Sequence, residues 1–519
     1  MIIRITFFIL FLSLTPVFTG AGLFSQTKVL KILHWNDLHA HNQPDKQSKK
    51  DKVTGENIFY YTGGTSGVLG YINKQKNSAT IVLNGGDDFQ GTPISNITRG
   101  GSQIELMNLI KPDAMVIGNH EFDYSDRNLD SVLQFAKFDY LTCNVFYKPK
   151  NSTMGKPYVI KEVNGIKIGI IGVTTKGLFS VSIPKNLENI ILLNTDSAIA
   201  SAIKEVKNKN CDLIVLLTHC GVEDDKYYAQ LFHQDVDVIV GGHSHTPLFK
   251  PVIQNGVVIV QAGSYARWLG ELDLLVDVDK DTVVSYSAHL IETILDSSVN
   301  DKAAQLKVDE MTESIAPEMN RVIAVLEKDW TNQHGQESNL GQFEADAFRE
   351  KTNSDVAFIN AGGLRKKLFK GNITVGDIWE INPFGNELVI LIVTGKRLLE
   401  MINDNINVTL ERRKKGEGVD FLNVSGITYT YDSKNGYGNY LTEIKVNGET
   451  VDENKTYRIC MSNYVESQDE KFFGRVKTIA EKYKMEMTGL IDRDVILEAV
   501  EKAKIISGEF VPRVIEIKD

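Results

Sequence analysis

The chain predicts an α/β protein in two parts: a layered α/β domain, joined by a helix to a smaller α+β domain. Three observations carry that reading. Near-continuous apolar, β-rich runs alternate with helical patterns from residue 29 to about 275. A polar stretch with Ala, Glu, Lys and Leu at helical spacing follows at 297–328. Strand and helix signals then resume in mixed order from Trp330. A length of 519 residues exceeds one ordinary core, and 42% hydrophobic with 24% charged residues is the balance of a soluble globular protein.

Taken in order, residues 1–25 read as a signal peptide. Arg4 is a short positive region, Ile5 to Leu14 an apolar core, and Thr19 to Gly22 a run of small residues. The apolar run is short for a span of about 20 residues. No later segment is long and apolar enough to cross a bilayer, and the charged ending GEFVPRVIEIKD lacks a lipid-anchor tail. The expectation is an exported protein, secreted or periplasmic, with no stable membrane anchor after cleavage. The net charge of −10 is spread thinly, without a long basic block, which argues against a nucleic-acid polymer as a main partner. Nothing in the sequence sets an oligomeric state.

Residues 28–295 form the first expected domain. Its runs are VLKIL, ATIVL, DAMVIG, FDYLTCNV, IKIGIIGV, DLIVLL, VDVIVGG and VVIVQAG. Runs apolar at every position suit sheets covered on both faces. Residues 296–329 are read as a connecting helix. Residues 330–519 hold a helix (NLGQFEADAFRE), a strand entering a glycine turn (VAFINAGGLR), a strand followed by a helix (LVILIVTGKRLLEMIN) and a hairpin (ITYTYDSKNGYG). Cys143, Cys211, Cys220 and Cys460 are too few for a disulfide framework and lie in or beside apolar runs, as buried thiols do.

The polar residues that follow these strands carry the chemistry. VLKILHWN leads to Asp37 and His39, IVLNGG to Asp87, MVIG to Asn119 and His120, LIVLLT to His219, and VIVGG to His243 and His245. Ligands of open α/β sheets bind beyond the carboxyl ends of the strands. A single histidine after a strand is usually a packed or capping residue. Several strand ends delivering Asp, Asn and His to one crevice, with glycines beside them, point to a metal site. Carboxylate and imidazole donors suit zinc, manganese, iron or cobalt. The supply exceeds the needs of one ion, which suggests two divalent ions sharing a carboxylate. Such pairs sit roughly 3.5–4 Å apart and clamp the attacking and leaving oxygens of phosphoryl transfer.

The motifs WNDLHAH, GGDDFQGTP, GNHEFDY, LTHCG and GGHSH, in that order, resemble those of calcineurin-like metallophosphoesterases. NLGQFEAD, NAGGLR, NPFGNELV and YRICMSNY resemble the C-terminal domain of the 5′-nucleotidase family. The resemblance spans essentially the whole chain after the signal segment. It implies a four-layer α/β/β/α metallophosphoesterase sandwich joined by a helix to the smaller α+β domain. It also implies a secreted or periplasmic hydrolase that releases phosphate from nucleoside 5′-monophosphates. Apyrase, UDP-sugar hydrolase and 2′,3′-cyclic phosphodiesterase activities are the enzymatic alternatives, and a non-catalytic nucleotide-binding protein is the other.

By position, the resemblance assigns Asp37, His39, Asp87 and His245 to one ion. It assigns Asp87, Asn119, His219 and His243 to the other, with Asp87 bridging. His120 and Asp123 match the catalytic pair, while His41 and Asp88 are left in supporting roles. Asn360 and Arg365 match substrate-facing residues, and Phe384 and Tyr464 match the two rings that stack the base. The chain departs from the family in two places. YVESQDEKFF lacks the usual glycine turn, leaving Asp469 or Glu470 for a ribose contact, and His334 stands near the place of an arginine.

Overall fold

The computed structural model describes residues 26–51, 54–296, 298–474 and 484–517; the expected signal peptide, residues 1–25, lies outside them. Two six-stranded sheets form the first domain. In one, Thr27–Trp35, Thr80–Asn84, Ala114–Val116 and Tyr140–Leu141 run parallel, with the antiparallel pair Trp268–Asp277 and Thr282–Glu292 on one side. In the other, Ile166–Thr174, Leu213–His219, Val238–Val240 and Val257–Val260 run parallel between two antiparallel edge strands.

Side chains alternate across each strand, so one run of apolar residues serves two faces. Leu30, Ile32, Ile81 and Leu83 share a core with Ile168, Ile170, Val215 and Leu217 of the facing sheet. Their neighbours Leu33, Trp35 and Val82 pack outward on Val68 and Ile72 of the helix Gly64–Gln75 and on Met107 of the helix Gly101–Ile110. On the far side, Ile171, Val173, Ile214 and Leu216 meet the helices Thr195–Lys207 and Val222–Phe232. The layers are therefore helix, sheet, sheet, helix.

The helix Lys302–Met319 leads into the smaller domain. It ends earlier than the pattern at 297–328 suggested, because Val322–Leu326 is a strand paired with Gly371–Thr374 and Ile505–Ile506. The five-stranded sheet of this domain runs Leu422–Ser425, Val356–Asn360, Thr456–Ser462, Glu387–Thr394 and Lys484–Ile491. One face packs Phe358, Val389 and Ile459 on Leu398, Met401 and Ile402 of the helix Gly395–Lys415. The other packs Ile359, Leu388 and Cys460 on Phe348, Ile378 and Ile496 from three helices. All four cysteines are free thiols, three buried and Cys211 half-buried. Among the described residues no helix is long and apolar enough to cross a membrane.

Candidate metal centre between the domains

Each of the predicted ligands sits at or just beyond the carboxyl end of a parallel strand. Asp37 and His39 follow Thr27–Trp35, Asp87 follows Thr80–Asn84, and Asn119 follows Ala114–Val116. His219 closes Leu213–His219, while His243 and His245 follow Val238–Val240. Both sheets contribute, so the residues converge along the seam between them.

The local backbone is strained there. Asp37, His39, Asp87, His243 and His245 have φ of 51°, 48°, 59°, 78° and 54°. Non-glycine residues rarely occupy this left-handed region, and clustered outliers of this kind mark functional sites. The glycines beside them allow close approach. A Cβ on Gly118 would lie 2.2 Å from Asp87 Oδ1, and one on Gly242 would lie 2.6 Å from the Gly85 carbonyl oxygen.

Three sets of donor atoms gather within 4.8 Å of one another: Asp37 with His39 and His245, Asp87 with His219 and His243, and His39 with Asp87 and His120. His39 donates from Nδ1 to the Gln90 carbonyl at 3.0 Å, and its Nε2 then faces His245 Nε2 at 3.1 Å. His219 donates from Nδ1 to the Gly85 carbonyl at 2.6 Å, turning Nε2 to Asp87 Oδ2 at 2.9 Å. A backbone partner that fixes the tautomer and ring is the usual support of a metal-ligating histidine. The Asp37 carboxylate accepts from the His243 backbone N–H at 2.9 Å. Asp87 lies within reach of both groups, with Oδ2 4.0 Å from His39 Nε2. Asn119 is buried, and its Oδ1 has no hydrogen-bond partner among the described residues.

This donor set fits divalent ions. Burial would raise the Asp37 and Asp87 carboxyls, yet the surrounding imidazoles hold both below the ordinary range. Burial opposes charge on His219, but Asp87 and Asp37 outweigh it and push the imidazole up to about 10. Buried carboxylates that draw a proton onto an adjacent imidazole are asking for positive charge, which ion binding supplies while releasing that proton. Burial brings His243 down to about 4, which keeps it a neutral donor.

His120 and Asp123 form a separate pair, Nδ1 to Oδ2 at 2.7 Å. Behind the loop, the Glu121 carboxylate accepts from the backbone N–H groups of Asp87, Asp88 and Gly118 at 3.0, 2.7 and 2.7 Å. It locks the Asp87 loop to the Asn119 loop, a role the sequence reading missed although Glu121 lies inside GNHEFDY. Asp88 turns away to accept from Asn84 Nδ2, and burial pushes its carboxyl up to about 7. His41 pairs with Asp45 at 3.1 Å and stacks on Tyr265 at 4.2 Å, outside the donor sets.

The second domain closes over this cluster. A cavity of about 380 Å³ is lined by Asp87, Asn119 and His120 from one domain and by Arg365, Phe384 and Tyr464 from the other. Gln468 donates across the junction to the Phe179 and Ser182 carbonyls at 3.2 and 3.4 Å. The Phe384 ring centre lies 6.0 Å from that of His120 and 5.7 Å from the Arg365 guanidinium. Asn360 also lines the cavity and donates to Asp420 Oδ2 at 3.2 Å.

Where the sequence departs from the family, other residues fill the cavity wall. Lys471 pairs with Asp420 at 2.9 Å and donates to the Tyr464 hydroxyl at 3.0 Å. Asp469 and Glu470 are not among the lining residues, and the His334 side chain is exposed to solvent. Lys471 was legible only as part of an irregular stretch. Asp420, at the head of the strand-forming FLNVS, carried no signal.

Comparison with known proteins agrees with this architecture. Residues 30–247 match the calcineurin-like phosphoesterase model, and residues 321–475 match the 5′-nucleotidase C-terminal domain model. The chain belongs to the 5′-nucleotidase family. It is a hydrolase of phosphoric esters. It is similar to a 5′-nucleotidase-related protein of Glossina morsitans morsitans, 28% identical over 91% of this chain and 92% of that one. It is also similar to Protein UshA of Escherichia coli, 26% identical over 95% of each chain. Among solved structures, a 5′-nucleotidase precursor from Thermus thermophilus superposes with a TM-score of 0.82 at 27% identity, covering 95% of this chain and all of that one. A further fold match is a sulfate thiohydrolase SoxB from Thermus thermophilus, with a TM-score of 0.75 at 18% identity, covering 94% of this chain and 97% of that one.

Proposed function

We propose that this protein is an exported, metal-dependent 5′-nucleotidase that hydrolyses nucleoside 5′-monophosphates to nucleoside and phosphate. The observation that carries the reading is a single cavity lined both by carboxylate and imidazole donors and by two aromatic rings. Residues 28–295 would hold two divalent ions, zinc or manganese in kind, and residues 330–519 the nucleoside. One ion is assigned to Asp37, His39, Asp87 and His245, and the other to Asp87, Asn119, His219 and His243.

Divalent ions there would polarise the phosphoryl oxygens and make a water nucleophilic near neutral pH. The chain's own groups do the rest. His120, oriented by Asp123, stands at the cavity wall where it can stabilise charge or hold a proton at the departing 5′-oxygen. Arg365 and Asn360 are set to contact the phosphate and the adjoining sugar, the guanidinium being suited to a two-point contact. Phe384 and Tyr464 are assigned to the base. Export rests on the leader-like residues 1–25.

The test is phosphate release by purified protein with manganese or zinc across AMP, ADP, ATP, UDP-glucose and 2′,3′-cyclic AMP. Highest kcat/KM on AMP supports the reading. A preference for ADP and ATP would make the protein an anhydride hydrolase, the activity named for an apyrase relative of Tabanus yao that is 28% identical over 90% of each chain.

A further inference from the structure

The two rings assigned to the base are anchored differently. Tyr464 packs on an apolar core of the second domain, whereas Phe384 belongs to neither of that domain's apolar cores. Phe384 is half-buried and lines the cavity. With no core to seat the ring, its position is set by the backbone of the loop 382–386. That loop leaves the short helix Val375–Ile381 and enters the strand Glu387–Thr394.

The first turn of the helix Asp492–Ala503 holds this loop at both ends. At one end the Asp492 backbone N–H donates to the Asn386 carbonyl at 2.9 Å, and the buried Asp492 carboxylate accepts from Asn386 Nδ2 at 3.2 Å. At the other end Arg493 donates from Nη1 to the Pro383 carbonyl at 3.3 Å. The same guanidinium lies 3.7 Å from the centre of the Trp379 ring, and Trp379 packs on the domain core. Between the two ends Gly385 has a φ of 65°, and a Cβ there would lie 3.4 Å from Arg493 Nη2. An arginine is an unfavourable choice for this place on local grounds alone. A cation in the first turn opposes the helix dipole. Its side chain is only 13% exposed, and its one ion pair among the described residues, with Asp494, is 4.0 Å long. Buried charges are ordinarily paired; here the close partners are a ring face and a loop carbonyl. A planar fork meets both at once, which a lysine does not do.

We propose that Arg493 is a positioning residue for base recognition: clamped between Trp379 and Pro383, it fixes the loop 382–386 so that the Phe384 ring stands ready to stack. The inference rests on the 5′-nucleotidase reading for the base that the ring receives. Arg493 touches neither the metal donors nor the substrate, and acts only through Phe384. Its removal therefore costs what an unplaced ring costs, and costs nothing once that ring is gone. Contacts that act through one shared group are non-additive, and independent ones add.

The test measures KM and kcat on AMP for Arg493→Ala in three backgrounds: wild type, Phe384→Ala and Tyr464→Ala. Arg493→Lys, which keeps the charge and loses the planar fork, is carried through the same backgrounds and decides the matter if the alanine variant does not fold. In wild type the expected result is an unchanged kcat with KM raised within the about 5–150-fold range of one lost stack, and by less for the lysine variant. In Tyr464→Ala the same rise recurs, and in Phe384→Ala there is none. A second readout needs no turnover: a 4-fluorophenylalanine at position 384 should give one fluorine resonance, displaced or split by either Arg493 variant. An unchanged KM, an equal rise in the Phe384→Ala background, a fall in kcat instead of a rise in KM, or an unmoved resonance overturns the proposal. A moved resonance in a protein whose wild type ignores AMP supports the clamp while refuting the 5′-nucleotidase reading.

Discussion

Truncating Phe384 and Tyr464 separately should give two distinguishable kinetic signatures. Stacking is remote from the reacting phosphorus, so its loss raises KM and spares kcat. One stack at about 1–3 kcal/mol corresponds to about a 5–150-fold rise, at about 1.4 kcal/mol per tenfold. Phe384 has a second duty, because its ring lies 5.7 Å from the Arg365 guanidinium. A cation–π contact of this kind is worth about 0.5–1 kcal/mol, so Phe384→Ala should also weaken phosphate binding by about 2–5-fold. Tyr464 touches Lys471 rather than Arg365. The assay is KM and kcat on AMP and on p-nitrophenyl phosphate, which has no base. Tyr464→Ala should raise KM for AMP alone; Phe384→Ala should raise it for AMP strongly and for the small ester slightly. Equal losses on both esters for Tyr464→Ala would mean that its ring only packs against Phe472 and the core, and the base-stacking assignment would fall.

Three further outcomes follow from the geometry. His120→Ala should keep its metal content and lose about 10²–10⁴-fold in turnover; metal lost in step with activity, as measured by elemental analysis, would make His120 a ligand instead. Glu121→Ala should leave three buried amides without their acceptor, and at about 1–3 kcal/mol for each orphaned group the unfolding free energy from urea melts should fall by about 3 kcal/mol or more; a wild-type unfolding free energy would refute the positioning role. Glu344 is fully buried, and burial followed by Asp492 holds its carboxyl well above the ordinary range. The native state therefore keeps a proton that the unfolded chain loses above pH about 4.3, so stability falls as pH rises from there, by up to about 1.4 kcal/mol per unit. Glu344→Gln should gain on wild type between pH 5 and pH 8 in urea melts, and a constant difference would count against it.

Much of this was legible because buried parallel strands are apolar at nearly every position, which makes VLKIL, DLIVLL and VVIVQAG stand out and places the polar residues after them. What was not legible depends on contacts between distant segments. Val322–Leu326 was hidden in the polar stretch 297–328, its neighbours being charged and its partners lying at Gly371–Thr374 and Ile505–Ile506. The hairpin Trp268–Glu292 was passed over because its outer strand is mostly exposed and mixed in composition. Asp420 and Lys471 meet only once the sheet and the helix Asp469–Phe473 are folded.

The dinuclear assignment with Asp87 as the shared ligand is tested most directly by metal titration of the apoprotein. Manganese or zinc is added stepwise to wild type and to Asp87→Asn while bound metal and AMP hydrolysis are followed together. Wild type should bind two ions per chain, with activity appearing as the second is taken up, and Asp87→Asn should bind fewer and hydrolyse almost nothing. Full activity at one ion per chain, or an Asp87→Asn protein with two ions and wild-type turnover, would contradict it.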